Sequence, residues 1–473
     1  MTLWTSEAAL KATGGQVTRS FECTGVSIDT RTIQTGDLFV ALQAARDGHD
    51  FVKDAIAKGA TAALVSRMPK GITADAPLLL VPDVQEALEA LGRAGRARMT
   101  GKVVAVTGSV GKTSTKEMLR RVLGGQGKVH ASVASYNNHW GVPLTLARMP
   151  ANADFAVIEI GMNHPGEIAP LARMARPHLA VVTIVAPAHL AAFESLDAIA
   201  REKAAIFEGL QPGGTAVLNG DLETSAILRD VATGFASTVL DFGEAASNHH
   251  RVTNVAISNA VTQVEARAKD TFLGYRISAP GRHFAMNGMA VLAVADALGL
   301  DRQQAIADLA AWRPVEGRGA REDLALGPSP TAARVDVIDD AYNANPASLG
   351  AALEVLAMTE TTGRRIAYVG DMKELGKTEA ALHAAVAQLP AIQRIDKMHC
   401  VGPLMKHLWD VLPEQKRGRW AETSEQMAQQ VGADLRGGDV VLAKGSLSMG
   451  LARVVDAIRK LGHSPAQQKP EKD

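Results

Sequence analysis

Cysteine is nearly absent from the 473-residue chain: Cys23 and Cys400 are the only two. Two cysteines build neither a disulfide framework nor a cysteine-liganded zinc site, and their scarcity fits a reducing compartment. Aromatic residues make up 4% of the chain, too few for a stacking platform for single-stranded nucleic acid. An excess of one charge is missing as well. Lys and Arg number 50, and so do Asp and Glu. That argues against nucleic-acid binding driven by bulk charge and leaves room only for a local basic patch. No apolar run approaches the roughly 18 residues that a membrane-crossing helix needs. The opening stretch, MTLWTSEAALKATGG, lacks the basic segment and apolar core of a secretory signal. A cytoplasmic protein without membrane or nucleic-acid partners is expected.

What is present is apolar and patterned. Hydrophobic residues make up 47%, enough for several cores, which excludes a disordered chain. At about 150 residues per domain, the length suggests roughly three domains. From about residue 100 onward, short apolar runs alternate with Ala-rich amphipathic stretches. Val103 to Thr107, Phe155 to Ile160, Ala180 to Val185 and Ala216 to Asn219 read as buried strands, as do Arg334 to Ile338, Arg365 to Val369 and Val440 to Ala443. Such runs separated by helices predict an α/β fold with parallel sheets covered on both faces. The first 80 residues hold shorter pieces, with strands expected at Asp37 to Leu42 and Ala62 to Val65, and residues 84–98 read as a joining helix. Between Gly243 and Pro280 apolar and polar residues alternate, which predicts an antiparallel insert. Trp312-Arg-Pro314 ends a helix and marks a boundary. The expected division is 1–84, 85–316 and 317–462, followed by a polar, disordered tail over 463–473. No internal repeat is visible.

The sharpest local signal is Val103-Val-Ala-Val-Thr-Gly-Ser-Val-Gly-Lys-Thr-Ser-Thr-Lys116. A strand runs through a glycine-containing loop into Gly111-Lys112-Thr113 and then a helix. Backbone N–H groups and the positive helix end suit phosphate oxygens, so Gly108, Ser109, Gly111 and Ser114 are candidate ATP contacts. Lys112 would reach the β- and γ-phosphates, and the Thr113 hydroxyl would ligate Mg²⁺. One departure stands out: the general P-loop pattern places glycine five residues before Gly111, where this chain has Val106. Glu159 closes a predicted strand, where a carboxylate can face metal and phosphate.

Further blocks narrow the reading. They are Tyr136-Asn-Asn-His-Trp-Gly-Val-Pro143, Glu159-Ile-Gly-Met-Asn-His-Pro-Gly-Glu-Ile168, Pro187-Ala-His189 and Lys203-Ala-Ala-Ile-Phe207. Later come Gly281-Arg-His-Phe-Ala-Met-Asn287, Gly317-Arg318 and Asp339-Asp-Ala-Tyr-Asn-Ala-Asn-Pro346. With the P-loop, these resemble the Mur ligases, the ATP-dependent amide-forming enzymes of peptidoglycan precursor synthesis. The resemblance runs from about Ser27 to Val455. Within the family, Asp340-Ala-Tyr-Asn-Ala-Asn-Pro346, Gly370-Asp-Met-Lys-Glu-Leu-Gly376 and Lys444-Gly-Ser446 look like the member that adds D-alanyl-D-alanine to a UDP-linked tripeptide. The preceding ligase, which adds the third residue, usually carries Asn-Pro-Arg, and none occurs here.

The resemblance implies a small N-terminal UDP-binding domain, a central P-loop domain and a C-terminal Rossmann-like domain that takes the dipeptide. Ser27, Thr30, Arg31, Asp47, Gly48 and His49, with Asn137 and Asn138, would meet the UDP substrate. Their hydroxyl, N–H and cationic donors suit a pyrophosphate. Thr113 and Glu159 would hold one Mg²⁺ and His189 a second. Lys203 would be carbamylated, which turns a cation into an anionic oxygen donor. His283 and Asn287 would meet adenine, Asp340 the ribose hydroxyls, and Arg318 the γ-phosphate. Tyr342, Asn343 and Asn345 would line the dipeptide site. The implied catalytic group is Lys112, Glu159, His189, Lys203 and Arg318. The partners are then small molecules, and a closing three-domain enzyme works as a monomer.

Two positions depart from the family pattern: Ser135 stands where Asn is frequent before Tyr136-Asn-Asn, and Leu447 where Lys-Gly-Ser-Arg is usual. The third-residue ligase, a folylpolyglutamate-type synthetase and a P-loop regulatory ATPase that makes no bond are the competing readings. The third residue of the acceptor peptide is written in no motif.

Overall fold

The computed structural model describes residues 2–73, 75–329 and 331–462. The tail expected over 463–473 lies outside the described residues. Three large sheets carry the fold. The central one has nine strands in the order Thr271–Ile277, Thr262–Ala268, His250–Ile257, Thr238–Gly243, Thr215–Asn219, Leu179–Val182, Lys102–Thr107, Phe155–Glu159 and Val129–Ala131. Its strands run parallel up to His250–Ile257, and the last three then form an antiparallel meander. The meander is the insert expected between Gly243 and Pro280. Alternate residues of Thr262–Ala268 are buried and exposed, because only one face of it packs on the core.

Helices cover both faces of the parallel part. One face buries Met118, Leu119 and Val122 of helix Lys112–Gly124 against helix Arg282–Ala297. The opposite face buries Ile168, Leu171, Ile199 and Phe207. Helix Arg282–Ala297 is buried from Phe284 through Ala295 save Met286, as expected of a helix apolar all round. Each fully buried leucine, such as Leu292, contributes about 1.5–3 kcal/mol.

The C-terminal sheet has six strands, in the order Ala320–Ala325, Arg334–Asp340, Val440–Lys444, Arg365–Gly370, Lys397–Val401 and Arg417–Ala421. All neighbours are parallel except the first pair. Its loops at residues 341–345, 371–376 and 445–448 therefore leave the carboxyl ends of adjacent strands, where α/β sheets bind ligands. The N-terminal sheet has five short strands, including Asp37–Val40 and Ala62–Val65.

Helix Val84–Arg98, started by the Asp83 side chain accepting from the Glu86 N–H, joins the N-terminal sheet to the central one. Its Leu88 and Leu91 share an apolar cluster with Trp4, Val26 and Leu64 on one side and Leu144 and Ala147 on the other. Trp4 also donates from its indole to the Ala147 carbonyl at 2.8 Å. Helix Arg302–Ala311 ends just before Trp312-Arg-Pro314. Three strands end earlier than the sequence suggests, at Val40 rather than Leu42, at Glu159 rather than Ile160, and at Val182 rather than Val185. The run Ala180 to Val185 leaves the sheet after Val182, because the Thr183 hydroxyl turns to donate to the carbonyls of Val110 (2.6 Å) and Thr107 (3.2 Å). No helix among the described residues is long and apolar enough to cross a membrane.

Candidate active site

Strand Lys102–Thr107 ends in the loop Gly108–Gly111, and helix Lys112–Gly124 begins at once. Val106, the departure from the general P-loop pattern, is a fully buried strand residue, so the loop is short. Its two glycines are required by close approach. A Cβ on Gly108 would lie 2.0 Å from the Thr183 hydroxyl, and one on Gly111, where φ is +85°, would lie 2.8 Å from Asn287 Oδ1. Ser109 ties the loop to the next strand's exit. Its backbone donates to Ile184 at 2.7 Å, and its hydroxyl donates to Ala186 O at 2.9 Å. The Lys112 ammonium folds back onto Gly108 O at 2.6 Å. Burial lowers its pKa to about 8, opposed by Glu159 and reinforced by Arg318.

Glu159 is fully buried at the end of strand Phe155–Glu159 and acts as a hub. Both its oxygens lie 3.1 Å from the Thr113 hydroxyl, and Oε1 accepts from Asn137 Nδ2 at 2.7 Å. Lys116, fully buried, approaches within 3.9 Å while donating to Ser132 O and Ala134 O. The Thr113 hydroxyl and the Glu159 carboxylate are hard oxygen donors of the kind that suits Mg²⁺. Asn137, expected toward the UDP end, lines the cleft and donates into this hub. Asn138 spends its side-chain oxygen on the Trp140 and Gly141 N–H groups.

His189 has a positive φ of 57°. Its Nδ1 lies 2.5 Å from Glu374 Oε2, a residue of the C-terminal sheet's loop 185 positions away. Donation from Nδ1 to that carboxylate leaves Nε2 with its lone pair, the arrangement in which metal-binding imidazoles are held. Burial lowers the His189 pKa, opposed by Glu374 and aided by Lys112 and Lys203, which keeps the ring neutral. Lys203 is buried, and its ammonium nitrogen lies 3.9 Å from Met162 Sδ. Burial, with Lys112 adding to it, drives its pKa well below the ordinary lysine value. Burial of this kind favours the neutral amine over the ammonium.

Arg318 donates to the Ser135 hydroxyl at 3.0 Å and lies over the Tyr342 ring at 4.0 Å. Asp340 accepts from Lys444 at 2.7 Å, and Lys444 also donates to Asn343 O at 2.8 Å. Burial raises the Asp340 pKa despite this partner. Asn345 caps helix Pro346–Met358, accepting from the Ser348 N–H in a capping box. Its side chain is thus occupied structurally while it lines the cleft. His283 packs on Phe284, with ring centroids 4.0 Å apart, and burial lowers its pKa to about 4. A cleft of about 810 Å³ gathers these groups, and of the residues expected to meet nucleotide or dipeptide only Gly108 and Lys203 do not line it.

The N-terminal candidates lie apart. Of residues 27–31 and 47–49, only Ile28 lines the cleft. His49 uses both ring nitrogens at home: Nδ1 on Asp47 at 2.7 Å, and Nε2 accepting from the Ser66 N–H at 2.9 Å. Asp47, also paired with Arg67, holds the turn that contains Gly48. The Ser27 hydroxyl donates to Asp29 O, Arg31 pairs with Asp29 at 2.6 Å, and Lys58 reaches Thr30 O. Sequence reasoning missed Glu374, Lys116 and Thr183. Glu374 lies within the run Gly370-Asp-Met-Lys-Glu-Leu-Gly376, but nothing in that run points to its distant partner His189. Lys116 and Thr183 were visible as polar residues within buried stretches.

Three family models match in succession: "Mur ligase family, catalytic domain" over residues 22–96, "Mur ligase middle domain" over 106–295 and "Mur ligase, glutamate ligase domain" over 329–447. The UDP-N-acetylmuramoyl-tripeptide–D-alanyl-D-alanine ligase of Escherichia coli (strain K12) is 38% identical over 80% of this chain and 81% of its own length. Among solved structures, MurF from Acinetobacter baumannii matches with a TM-score of 0.82 at 27% identity, covering 97% of this chain and 99% of that one. The MurF ligase from Thermotoga maritima in complex with ADP matches with a TM-score of 0.76 at 28% identity, over 92% and 97%. With the P-loop, the buried carboxylate hub and three matched segments in order, the chain belongs to the Mur ligase family.

Proposed function

We propose that this enzyme joins D-alanyl-D-alanine to UDP-N-acetylmuramoyl-tripeptide at the expense of ATP, giving the pentapeptide precursor of peptidoglycan. What carries this reading is the extent of the likeness to ligases of that name, which takes in the N-terminal segment as well as the nucleotide cleft. A carboxylate is a poor electrophile in water. The tripeptide carboxylate therefore attacks the γ-phosphate, and ADP leaves. The dipeptide amine then adds to the acyl phosphate carbonyl, and phosphate departs from the tetrahedral intermediate.

The first step brings a carboxylate against a polyphosphate, so the site must supply positive charge. Lys112 and Arg318 border that position. Thr113 and Glu159 would hold one Mg²⁺ and His189 a second, and bound Mg²⁺ would offset the phosphate charge. The donor set fits: oxygen ligands converge at Glu159, and the neutral His189 imidazole is oriented by Glu374. Lys203 fits carbamylation, because burial disfavours its charged form and lowers its pKa. In this assignment residues 1–84 take the UDP end, 85–316 take ATP, with Asn287 and His283 toward adenine and Asp340 toward the ribose, and 317–462 take the dipeptide at Tyr342, Asn343 and Asn345. The protein acts as a cytoplasmic monomer.

The reaction is tested by phosphate release from ATP and Mg²⁺ with the UDP-tripeptide, with and without D-alanyl-D-alanine. Release that needs both, with a product heavier by the dipeptide, is expected. Release that follows a diamino acid with the UDP-dipeptide would move the enzyme one step earlier, and release indifferent to acceptors would leave a bare ATPase. Lys203→Ala is expected to lose activity and regain part of it with short carboxylates, while the intact protein shows a carboxylate's extra mass on Lys203. An unmodified, dispensable lysine would remove this role.

A further inference from the structure

Lys373 stands in the cleft wall on the loop that follows strand Arg365–Gly370. The cations around the cleft differ in how fully they are engaged. Lys444 is buried between Asp340 and Asn343 O. Arg321 is bound to both oxygens of Asp336 and to Asn259 O. Lys112 belongs to the P-loop, and Arg318 faces Ser135 from over Tyr342. Lys373 has one side-chain partner, Asp371 Oδ2 at 2.9 Å, and its side chain remains 39% exposed.

That partner is a fixed anchor. Asp371 is fully buried, and its other oxygen accepts from the Met405 N–H at 2.7 Å. The Lys373 backbone is fixed as well, donating to the Ser446 hydroxyl at 2.9 Å while Ser446 N donates to Asp371 O at 3.1 Å. The two loops are thus stitched together, and the next residue on one of them is Leu447, 61% exposed in the same wall. A large apolar side chain beside a held ammonium suits a small apolar amino acid that ends in a carboxylate. Glu374, the neighbour of Lys373, touches His189.

We infer that Lys373 receives the terminal carboxylate of the incoming dipeptide, with Leu447 packing against its methyl group. The ammonium keeps N–H donors beyond the one given to Asp371, so it bridges a buried protein carboxylate and a substrate carboxylate. This rests on the proposed dipeptide substrate. The test pairs a change in the enzyme with a change in the ligand: D-alanyl-D-alanine against its C-terminal amide, for the wild type, Lys373→Met and Lys373→Arg. The wild type is expected to prefer the free acid, and Lys373→Met to raise its KM about tenfold or more. KM values for ATP and the UDP-tripeptide should hold, which also reports an intact fold. Acid and amide should become equivalent in Lys373→Met, and Lys373→Arg should restore part of the preference. A wild type that does not distinguish acid from amide, a Lys373→Met enzyme that still does, or a KM change confined to the UDP-tripeptide would overturn the assignment. A wild type that ligates no dipeptide at all would overturn the substrate reading instead.

Discussion

Lys112 shows how a single side chain sets a pH limit on the whole reaction. Its pKa is lowered from 10.5 to about 8 because burial outweighs the attraction of Glu159. The ammonium form is the one that meets phosphate, so ADP affinity should hold below pH 8 and weaken as the pH rises through it. Calorimetric titration across that range checks this, and a flat profile would take the charge out of the interaction. Lys203 teaches a different lesson about residues. Composition reads it as one more helix lysine, and only its place in Lys203-Ala-Ala-Ile-Phe207 singled it out. The structure adds the physical reason: a buried amine set against the Met162 thioether. Glu374 stood inside a legible motif, but its role lies in a contact made across the cleft. Asn345 was legible as a site residue, but its capping of helix Pro346–Met358 was hidden behind that role.

At the scale of elements, continuous Val and Ile runs located the central strands, because a strand buried on both faces has nowhere to put polar side chains. Arg417–Ala421 escaped notice for the converse reason: it lies at the edge of its sheet and is largely exposed or half-buried. Strand ends depend on what the next residue bonds, as Thr183 shows. Several elements are also pinned by neutral histidines that accept from backbone N–H groups. His178 accepts from Val103 at 3.0 Å, and His399, stacked on Tyr368, accepts from Arg419 at 3.1 Å. Burial lowers both pKa values to about 4 from 6.5. Between those limits the unfolded chain binds more protons than the folded one. The stability these rings contribute is therefore full above pH 6.5, declines below it and is lost once the pH passes about 4. The urea midpoint should drop between pH 6.5 and 4.5, and His178→Gln should drop less steeply. A midpoint constant over that interval would contradict the account.

Across the whole molecule, the joints between domains are unequal. The N-terminal and central units share an apolar cluster through Leu88, Leu91, Leu144 and Ala147. Among the described residues, no buried apolar cluster is shared between the central and C-terminal units. Their junction is made by polar contacts: His189 with Glu374, Arg318 with Ser135, and Asn259 paired through both amide atoms with the Glu360 backbone. Polar contacts of this kind, exposed save for the half-buried Arg318 pair, separate at little cost. The C-terminal unit is therefore the one expected to swing, shielding the acyl phosphate from water as it closes. Small-angle scattering should show compaction when nucleotide and both substrates are added, and an unchanged radius of gyration would refute the motion. The unequal joints also bear on inhibitor design. A compound seated between the N-terminal and central units meets a preformed surface and keeps its contact energy. One that reaches across to the 341–345 loop must first draw a loosely held domain inward, and it forfeits affinity in proportion to how seldom that domain is already there.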